Sequence, residues 1–432
     1  MKNSGVEWIG EIPDEWDIYR NKNAFICNKE IVGKNSNSTQ LLSLTTGGIK
    51  CKDINNAEGK LPESFDTYQY VKKNDVVMCL FDLDMSAVFS GISQYDGMIS
   101  PAYKVLSCQD RANPLFIHYW FSYIFDGRKF NHYAKNIRYT LNYNEFATLP
   151  ILLPPKSTQQ RIATYLDKKC SKIEETIQNQ QQVIEKLKAY KQSLITEAVT
   201  GKIKIQNGQA CGKYESYKDS GVEYLGKIPS NWNIKRLRYI GKCQNGISKG
   251  GEFFGSGYPF VSYGDVYNNL VLPETVSGLI ESTHEEQENY SVKAGDIFFT
   301  RTSETIEEVG FTSVCLKTIE NATFAGFVIR VRPFTDELIP DYSKYYFSSD
   351  AHRRFFVKEM NLVTRASLSQ DLLKRLPILI PSKEKQKEIA DYLDKKCTAI
   401  DTAIEQKQKL IEKLTEYKKS LIYECVTGKK EC

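Results

Sequence analysis

The chain carries one frame twice. Residues 4–20 read SGVEWIGEIPDEWDIYR and residues 220–236 read SGVEYLGKIPSNWNIKR. About 10 of 17 positions match, among them Gly5/Gly221, Gly10/Gly226, Pro13/Pro229, Trp16/Trp232 and Arg20/Arg236. A longer pair, residues 149–202 and 376–429, aligns without a gap at about 32 of 54 positions. The stretches between, 32–133 and 241–356, share little sequence. A frame kept twice around unlike middles implies one task done twice and two tasks done once each. It also predicts a pseudo-twofold internal repeat, because the halves are copies.

The long repeat has the pattern of a helix. Leu166, Cys170, Ile173, Ile177, Gln180, Ile184, Leu187, Lys191, Leu194 and Ala198 alternate spacings of four and three. The second copy runs Leu393, Cys397, Ile400, Ile404, Lys407, Ile411, Leu414, Lys418, Leu421 and Cys425. An apolar period of about 3.5 residues held over several heptads is a coiled-coil seam. Pro154, Pro155 and Pro381 mark the starts, and Gly201 and Gly428 the stops. Neither helix can bury its stripe alone, so each is expected to pair with the other copy. The intervening block makes an antiparallel coiled coil the expected topology. Gln180/Lys407 and Lys191/Lys418 interrupt the seam. They either fix register or sit at its edge with their heads in water.

The middles read as α/β or α+β blocks with mixed sheets. Expected strands are 75–81, 297–300, 313–316 and 324–332, with glycine-rich turns at 46–48, 246–251 and 255–257. Expected helical patches are 115–123 and 342–360. Asn113-Pro114 has the pattern of a helix start. Basic residues fall on expected turns: Lys50, Lys52, Lys135 and Arg138 in the first block, Lys249, Arg301 and Arg365 in the second. Arg138 and Arg365 occupy equivalent places, each eleven residues before the long repeat. Arginine reads guanine bidentately or clamps phosphate. Asn136, Asn142 and Gln370 lie nearby, and amide side chains can read adenine.

Composition narrows the class. With 41% hydrophobic and 26% charged residues over 432 positions, the chain has the balance of a globular protein. No apolar run reaches the roughly 18 residues a membrane helix needs. The polar start lacks the pattern of a secretion signal, so the expected compartment is the cytoplasm. The 11 cysteines are scattered, with no Cys-x-x-Cys, and free thiols are expected; the 4 histidines form no metal-ligand spacing. A net charge of +5 permits a nucleic-acid partner without demanding one.

Catalytic motifs are missing. There is no Asn/Asp-Pro-Pro-Tyr/Phe of an amino-methyltransferase and no Gly-x-Ser-x-Gly elbow. Residues 208–213 read GQACGK, one residue short of a phosphate loop, and Tyr214 stands where its Ser/Thr would be. These absences favour a binding protein.

The doubled leader at Ser4 and Ser220, the doubled Leu-Pro-Ile-Leu at Leu149 and Leu376, the doubled Ile-Ala-x-Tyr-Leu-Asp-Lys-Lys at Ile162 and Ile389, and the helix ends from Leu194 and Leu421 together resemble the specificity subunit of Type I restriction-modification systems. The resemblance covers nearly the whole chain. One departure is Thr158 and Lys385, before Gln159 and Gln386, where the family usually has Glu-Gln.

The resemblance implies two target recognition domains, at 1–150 and 220–377, each reading half of a split double-stranded DNA site. It implies spacer helices at 151–202 and 378–429 and a linker at 203–219. Two modification subunits that bind S-adenosylmethionine and methylate adenine N6 would dock on the helices. Motor-nuclease restriction subunits using ATP and Mg would join them. The chain itself would hold no active site, metal or cofactor. The candidate DNA contacts are Lys50, Lys52, Arg138, Asn142, Lys249, Arg301 and Arg365. The expected helix seam is Leu166, Ile173, Ile177, Ile184, Leu187 and Leu194 against Leu393, Ile400, Ile404, Ile411, Leu414 and Leu421.

Overall fold

The computed structural model describes residues 1–53, 62–134, 137–303, 309–359 and 366–432. The chain divides into two compact units, Met1–Gln181 with Gln408–Cys432, and Gln182–Lys407. Two 44-residue helices, Lys156–Val199 and Lys383–Val426, follow Pro155 and Pro381. At 1.5 Å per residue each is about 66 Å long.

Both units draw on both helices. In the first, Leu166, Cys170 and Ile173 from the start of one helix share a core with Leu421, Ile422, Cys425 and Val426 from the end of the other. In the second, Leu194, Ile195, Ala198 and Val199 share a core with Ile389, Leu393, Cys397 and Ile400. Start lies beside end in each unit, so the helices pair antiparallel. The expected seam is inside: Leu166, Ile173, Ile184, Leu194, Leu393, Ile400, Ile411 and Leu421 are buried. Ile177, Leu187, Ile404 and Leu414 are partly so. Two of the polar interruptions cross-link the helices. Lys191 Nζ lies 2.6 Å from Asp401 in the second unit, and Lys418 bridges to Glu174 in the first. Gln180 and Lys407 are half-buried.

Each long helix ends in the same way. Gly201 and Gly428 adopt φ of +72° and +73°. Gly428 N–H donates to Cys425 O, and Lys429 N–H to Glu424 O at 2.8 Å. Gly201 and Lys202 repeat the pattern on Ala198 and Glu197. This is the left-handed glycine termination that satisfies the last helix carbonyls. The leaders close on these glycines: Pro13 and Trp16 pack at Gly428, and Pro229 and Trp232 at Gly201. Each leader also pairs with the strand before a long helix, Asp17–Arg20 with Pro150–Leu153 and Asn233–Arg236 with Pro377–Ile380.

The two unlike middles share one sheet. In the first unit the antiparallel order is Phe25–Asn28, Lys104–Cys108, Val76–Met78, Ser90–Ile92. In the second it is Gly241–Asn245, Val328–Pro333, Ile297–Thr300, Thr312–Val314. A tight turn enters the third strand of each. Asp75 accepts from Lys72 N–H and Ser107 Oγ, and Asp296 accepts from Lys293 N–H and pairs with Arg332 at 2.6 Å. The preceding residues, Asn74 and Gly295, both have left-handed φ.

Four expectations change. The glycine-rich stretch 255–257 lies inside the strand Phe254–Val261 rather than on a turn. The span 324–332 is two strands, Thr323–Phe324 and Val328–Pro333, broken by a turn at 325–327. The expected helix 342–360, whose last residue lies outside the described residues, is two helices, Pro340–Ser348 and Asp350–Glu359, because Ser349 turns its hydroxyl onto Tyr346 O at 2.6 Å. Cys425 and Cys432 are disulfide-bonded, not free: beyond Gly428 the chain turns back over the helix end and brings Cys432 onto Cys425. The helix start at Asn113-Pro114 stands, with Asn113 Oδ1 accepting from Leu115 and Phe116 N–H. Among the described residues no helix is long and apolar enough to cross a membrane.

Candidate nucleic-acid interface

One edge of the first unit's sheet opens into a cleft of about 510 Å³. Lys29, Lys104, Gln69, Thr140, Asn142 and Phe81 are among its walls, and among the described residues no acidic side chain lines it. Lys29 follows the strand Phe25–Asn28, and Lys104 opens the strand Lys104–Cys108. Asn28 pairs with Val105, so one step further places the two lysines opposite each other. Like charges directly across a strand pair are destabilising. Both ammonium groups act to lower the Cys27 thiol pKa, yet burial outweighs them and raises it. A cleft walled by two facing cations, amides and hydroxyls is suited to an anion bearing hydrogen-bonding groups, as a nucleic-acid strand does.

The residues singled out from the sequence do not all converge here. Asn142 does, but its Oδ1 caps the helix Tyr143–Thr148 by accepting from Glu145 N–H, so only its amide nitrogen remains for the cleft. Arg138 is exposed two residues before Thr140. Lys50 is exposed on the strand Gly48–Cys51 rather than on a turn. Lys52 lies apart from the cleft, beside Gln40, whose amide donates to Lys52 O. Lys249 is committed within the protein. Its Nζ lies 2.6 Å from Glu286, donates to Glu281 O at 2.8 Å, and sits over the Phe253 ring. Arg365, Lys135 and Asn136 lie outside the described residues.

The equivalent edge of the second unit is furnished differently. Its backbone is the same: Leu141 N–H donates to Leu80 O in the first unit, and Leu368 N–H to Arg301 O in the second. Where the first unit has Lys29 and Tyr143, the second has Asn245 and Gln370, joined amide to amide at 3.0 Å. Where the first has Lys104, the second has Ile329, paired with Asn245. Arg301 occupies the place of Leu80, and its N–H donates to Phe327 O at 2.9 Å. Two other arginines are structural. Arg332 pairs with Asp296, and buried Arg330 donates to Gln244 and Ser291 O, its pKa pushed down to about 10 by burial and then by Arg332.

Lys29 and Lys104, which line the candidate cleft, are not among the residues singled out from the sequence. They are remote in the chain and meet only through strand pairing. The available signal was a lysine at the end of each of two β-rich runs.

Residues 229–415 match the family model of the Type I restriction modification DNA specificity domain. The chain is 23% identical over 291 residues to the Type I restriction enzyme EcoKI specificity subunit of Escherichia coli strain K12, covering 66% of this chain and 58% of that protein. It is 25% identical over 286 residues to the MjaVIII specificity subunit of Methanocaldococcus jannaschii, covering 66% and 63%. The chain thus spans less than two thirds of the length of these relatives.

Two solved structures share the fold. One chain, from a study of complex assembly and conformational transition of the type I R-M system, superposes with a TM-score of 0.71 at 14% identity, covering 96% of this chain and 98% of that one. The HsdS subunit from Thermoanaerobacter tengcongensis gives 0.53 at 16% identity, covering 99% and 100%. With its doubled leader and paired helices, the chain is similar to the DNA specificity subunits of Type I restriction-modification systems, and residues 229–415 match their specificity domain.

Proposed function

We propose that this chain is the non-catalytic subunit that gives a Type I restriction-modification complex its DNA sequence. Each unit reads one half of an asymmetric, bipartite duplex site, and the paired helices space the half-sites. Two modification subunits carrying S-adenosylmethionine, and restriction subunits using ATP and Mg, assemble on it in the cytoplasm. The observation that carries this reading is the matched pair of sheet edges. Equivalent backbone positions hold Lys29, Lys104 and Tyr143 in one unit and Asn245, Ile329 and Gln370 in the other. One scaffold with two lysines and a tyrosine at one edge, and a buried isoleucine and a joined pair of amides at the other, offers the different chemistry that two different half-sites require. Arg138, Asn142 and Arg301 stand at these edges and are proposed contacts. Lys50, Lys52 and Arg365 remain proposed contacts from their charge and place in the sequence. Lys249 is a weaker candidate because its charge is already paired.

The test is single-molecule sequencing of genomic DNA for N6-methyladenine with this gene present and deleted. A split motif that disappears on deletion is expected. With the motif known, Lys29→Gln and Lys104→Gln should each flatten the salt dependence of binding, by about 0.9 in log K against log salt per lost phosphate contact. A genome whose methylated motifs are unchanged by deletion, together with a purified assembly that binds no duplex, refutes the reading.

A further inference from the structure

Resting on that reading, we propose that Met85 and Ile137 form an apolar wedge which the first unit inserts between base steps of its half-site, with Arg138 beside it on the phosphate backbone. Met85 and Ile137 are 85% and 99% exposed, more than any other large apolar side chain among the described residues. Exposure of single apolar residues is ordinary. Here the two sit on loops that are tied together. Leu83 N–H donates to Tyr139 O at 3.2 Å, and Asp82 N–H to Thr140 Oγ1 at 3.3 Å. Arg128 Nη1 donates to Leu83 O at 2.6 Å, and Asn131 Nδ2 to Asp84 at 3.2 Å. The tip carrying Met85 is closed by Met85 and Ser86 N–H groups, both donating to Asp82 O. Leu83 and Leu141 of the same loops are buried, so each loop is anchored by one leucine and presents another apolar side chain outward.

The backbone is held in uncommon conformations. Among the described residues six that are not glycine have positive φ, and three belong to this assembly: Asp82 at +50°, Arg128 at +48° and Tyr139 at +46°. Residues held so persist only where their surroundings over-determine them, and they concentrate at ligand clamps. A rigid mount is what a wedge needs, because a flexible one would fold back before unstacking a base step.

Charge and position select duplex DNA as the occupant. Thr140, Leu141 and Asn142 connect the wedge loop directly to the cleft holding Lys29 and Lys104. Arg138 adjoins Ile137 and is exposed. The carboxylates Asp82 and Asp84 keep phosphates off the tip itself and leave base donors, such as cytosine N4, as their partners. Isoleucine and methionine are side chains that proteins insert between base steps.

The experiment uses the full chain assembled with its modification subunits, on its mapped site with 2-aminopurine placed through the first half-site. Wild type should raise 2-aminopurine fluorescence at one step as stacking is lost. Met85→Ser with Ile137→Ser should abolish that rise and weaken binding ~10–100-fold, within the range one mismatched base pair costs, with an unchanged salt slope. Met85→Leu with Ile137→Leu should restore both. Arg138→Gln should instead flatten the salt slope. A serine variant that binds and unstacks like wild type overturns the wedge while leaving DNA reading intact. A serine variant that keeps the DNA response but loses its modification subunits overturns it in favour of protein docking. Wild type with no site-specific binding overturns both proposals.

Discussion

The helix-ending glycines offer a sharp test of what the repeated frame is for. Take Gly428→Ala. At φ +73° a Cβ costs about 1–2 kcal/mol through its clash with the following carbonyl. The new Cβ would also stand 2.5 Å from Pro13 Cδ, 2.6 Å from Pro13 Cγ and 3.1 Å from Trp16 Cη2. Carbon atoms pack at roughly 3.5–4.0 Å. Neither wall can swing aside: proline is a closed ring, and Trp16 is buried in the unit's core. Overpacking of this kind adds about 1–3 kcal/mol, for a total of about 2–5 kcal/mol.

Gly33→Ala in the same unit is the control. Gly33 has φ +52° and nothing within 4 Å of its added Cβ, so it should lose only the backbone part, about 1–2 kcal/mol. The measurement is urea unfolding of the full chain labelled with 5-fluorotryptophan, following the Trp16 resonance so that this unit is scored by itself. The Gly428 variant should lose at least about 1 kcal/mol more than the Gly33 variant. Equal losses would show that the leader yields, and that the close approach of leader to helix end is not what requires glycine.

Two further outcomes follow from buried polar groups. Gln159 is fully buried; its Oε1 accepts from Asn113 N–H, and its Nε2 donates to Arg111 O and Pro154 O, each at 2.8 Å. Gln159→Leu strands three backbone groups and should cost about 2–4 kcal/mol, against well under ~1 kcal/mol for Gln181→Leu on the exposed face of the same helix, read as shifts in urea midpoint. His352 is buried against Phe347 and Phe356, and burial, then Arg353, pushes its pKa down to about 3. The folded state therefore keeps it neutral while the unfolded chain takes up a proton below about pH 6.5. Stability from this group is complete above that pH and falls by up to about 1.4 kcal/mol per unit as pH drops toward 3. His352→Leu should remove that slope, and equal wild-type and variant slopes between pH 6 and 4 would refute it.

The frame was legible in the sequence and the proposed reading edges were not, for a physical reason. Gly201, Gly428, Pro13, Pro229, Gln159 and Gln386 answer to backbone geometry that both units share: a left-handed turn, a ring against it, a side-chain clamp under a helix. Gln386 repeats the clamp, accepting from Ile339 N–H and donating to Glu337 O and Pro381 O. Such residues recur because nothing else fits, so a repeat search finds them. The sheets in the middles escaped it because a strand ladder is made by backbone groups, which many side chains satisfy. The turn into the third strand keeps a shared trace, Val71-Lys72 with Asp75 and Val292-Lys293 with Asp296, the aspartate following a left-handed residue each time.

Charge in the sequence does not by itself say which cations are left at the candidate edges, because a cation's partners are set by tertiary packing. Lys249 was spent on Glu286, Arg332 on Asp296, and the oxygen of Asn142 on a helix cap. The residues left at the edges answer to what lies outside the chain. Lys29 and Asn245 hold the same backbone place, as do Tyr143 and Gln370, and no demand of the fold makes them alike. Divergence at a position whose backbone is duplicated is therefore the feature on which the proposed reading site rests. It picks out the same edge in both units before any single residue is assigned a base.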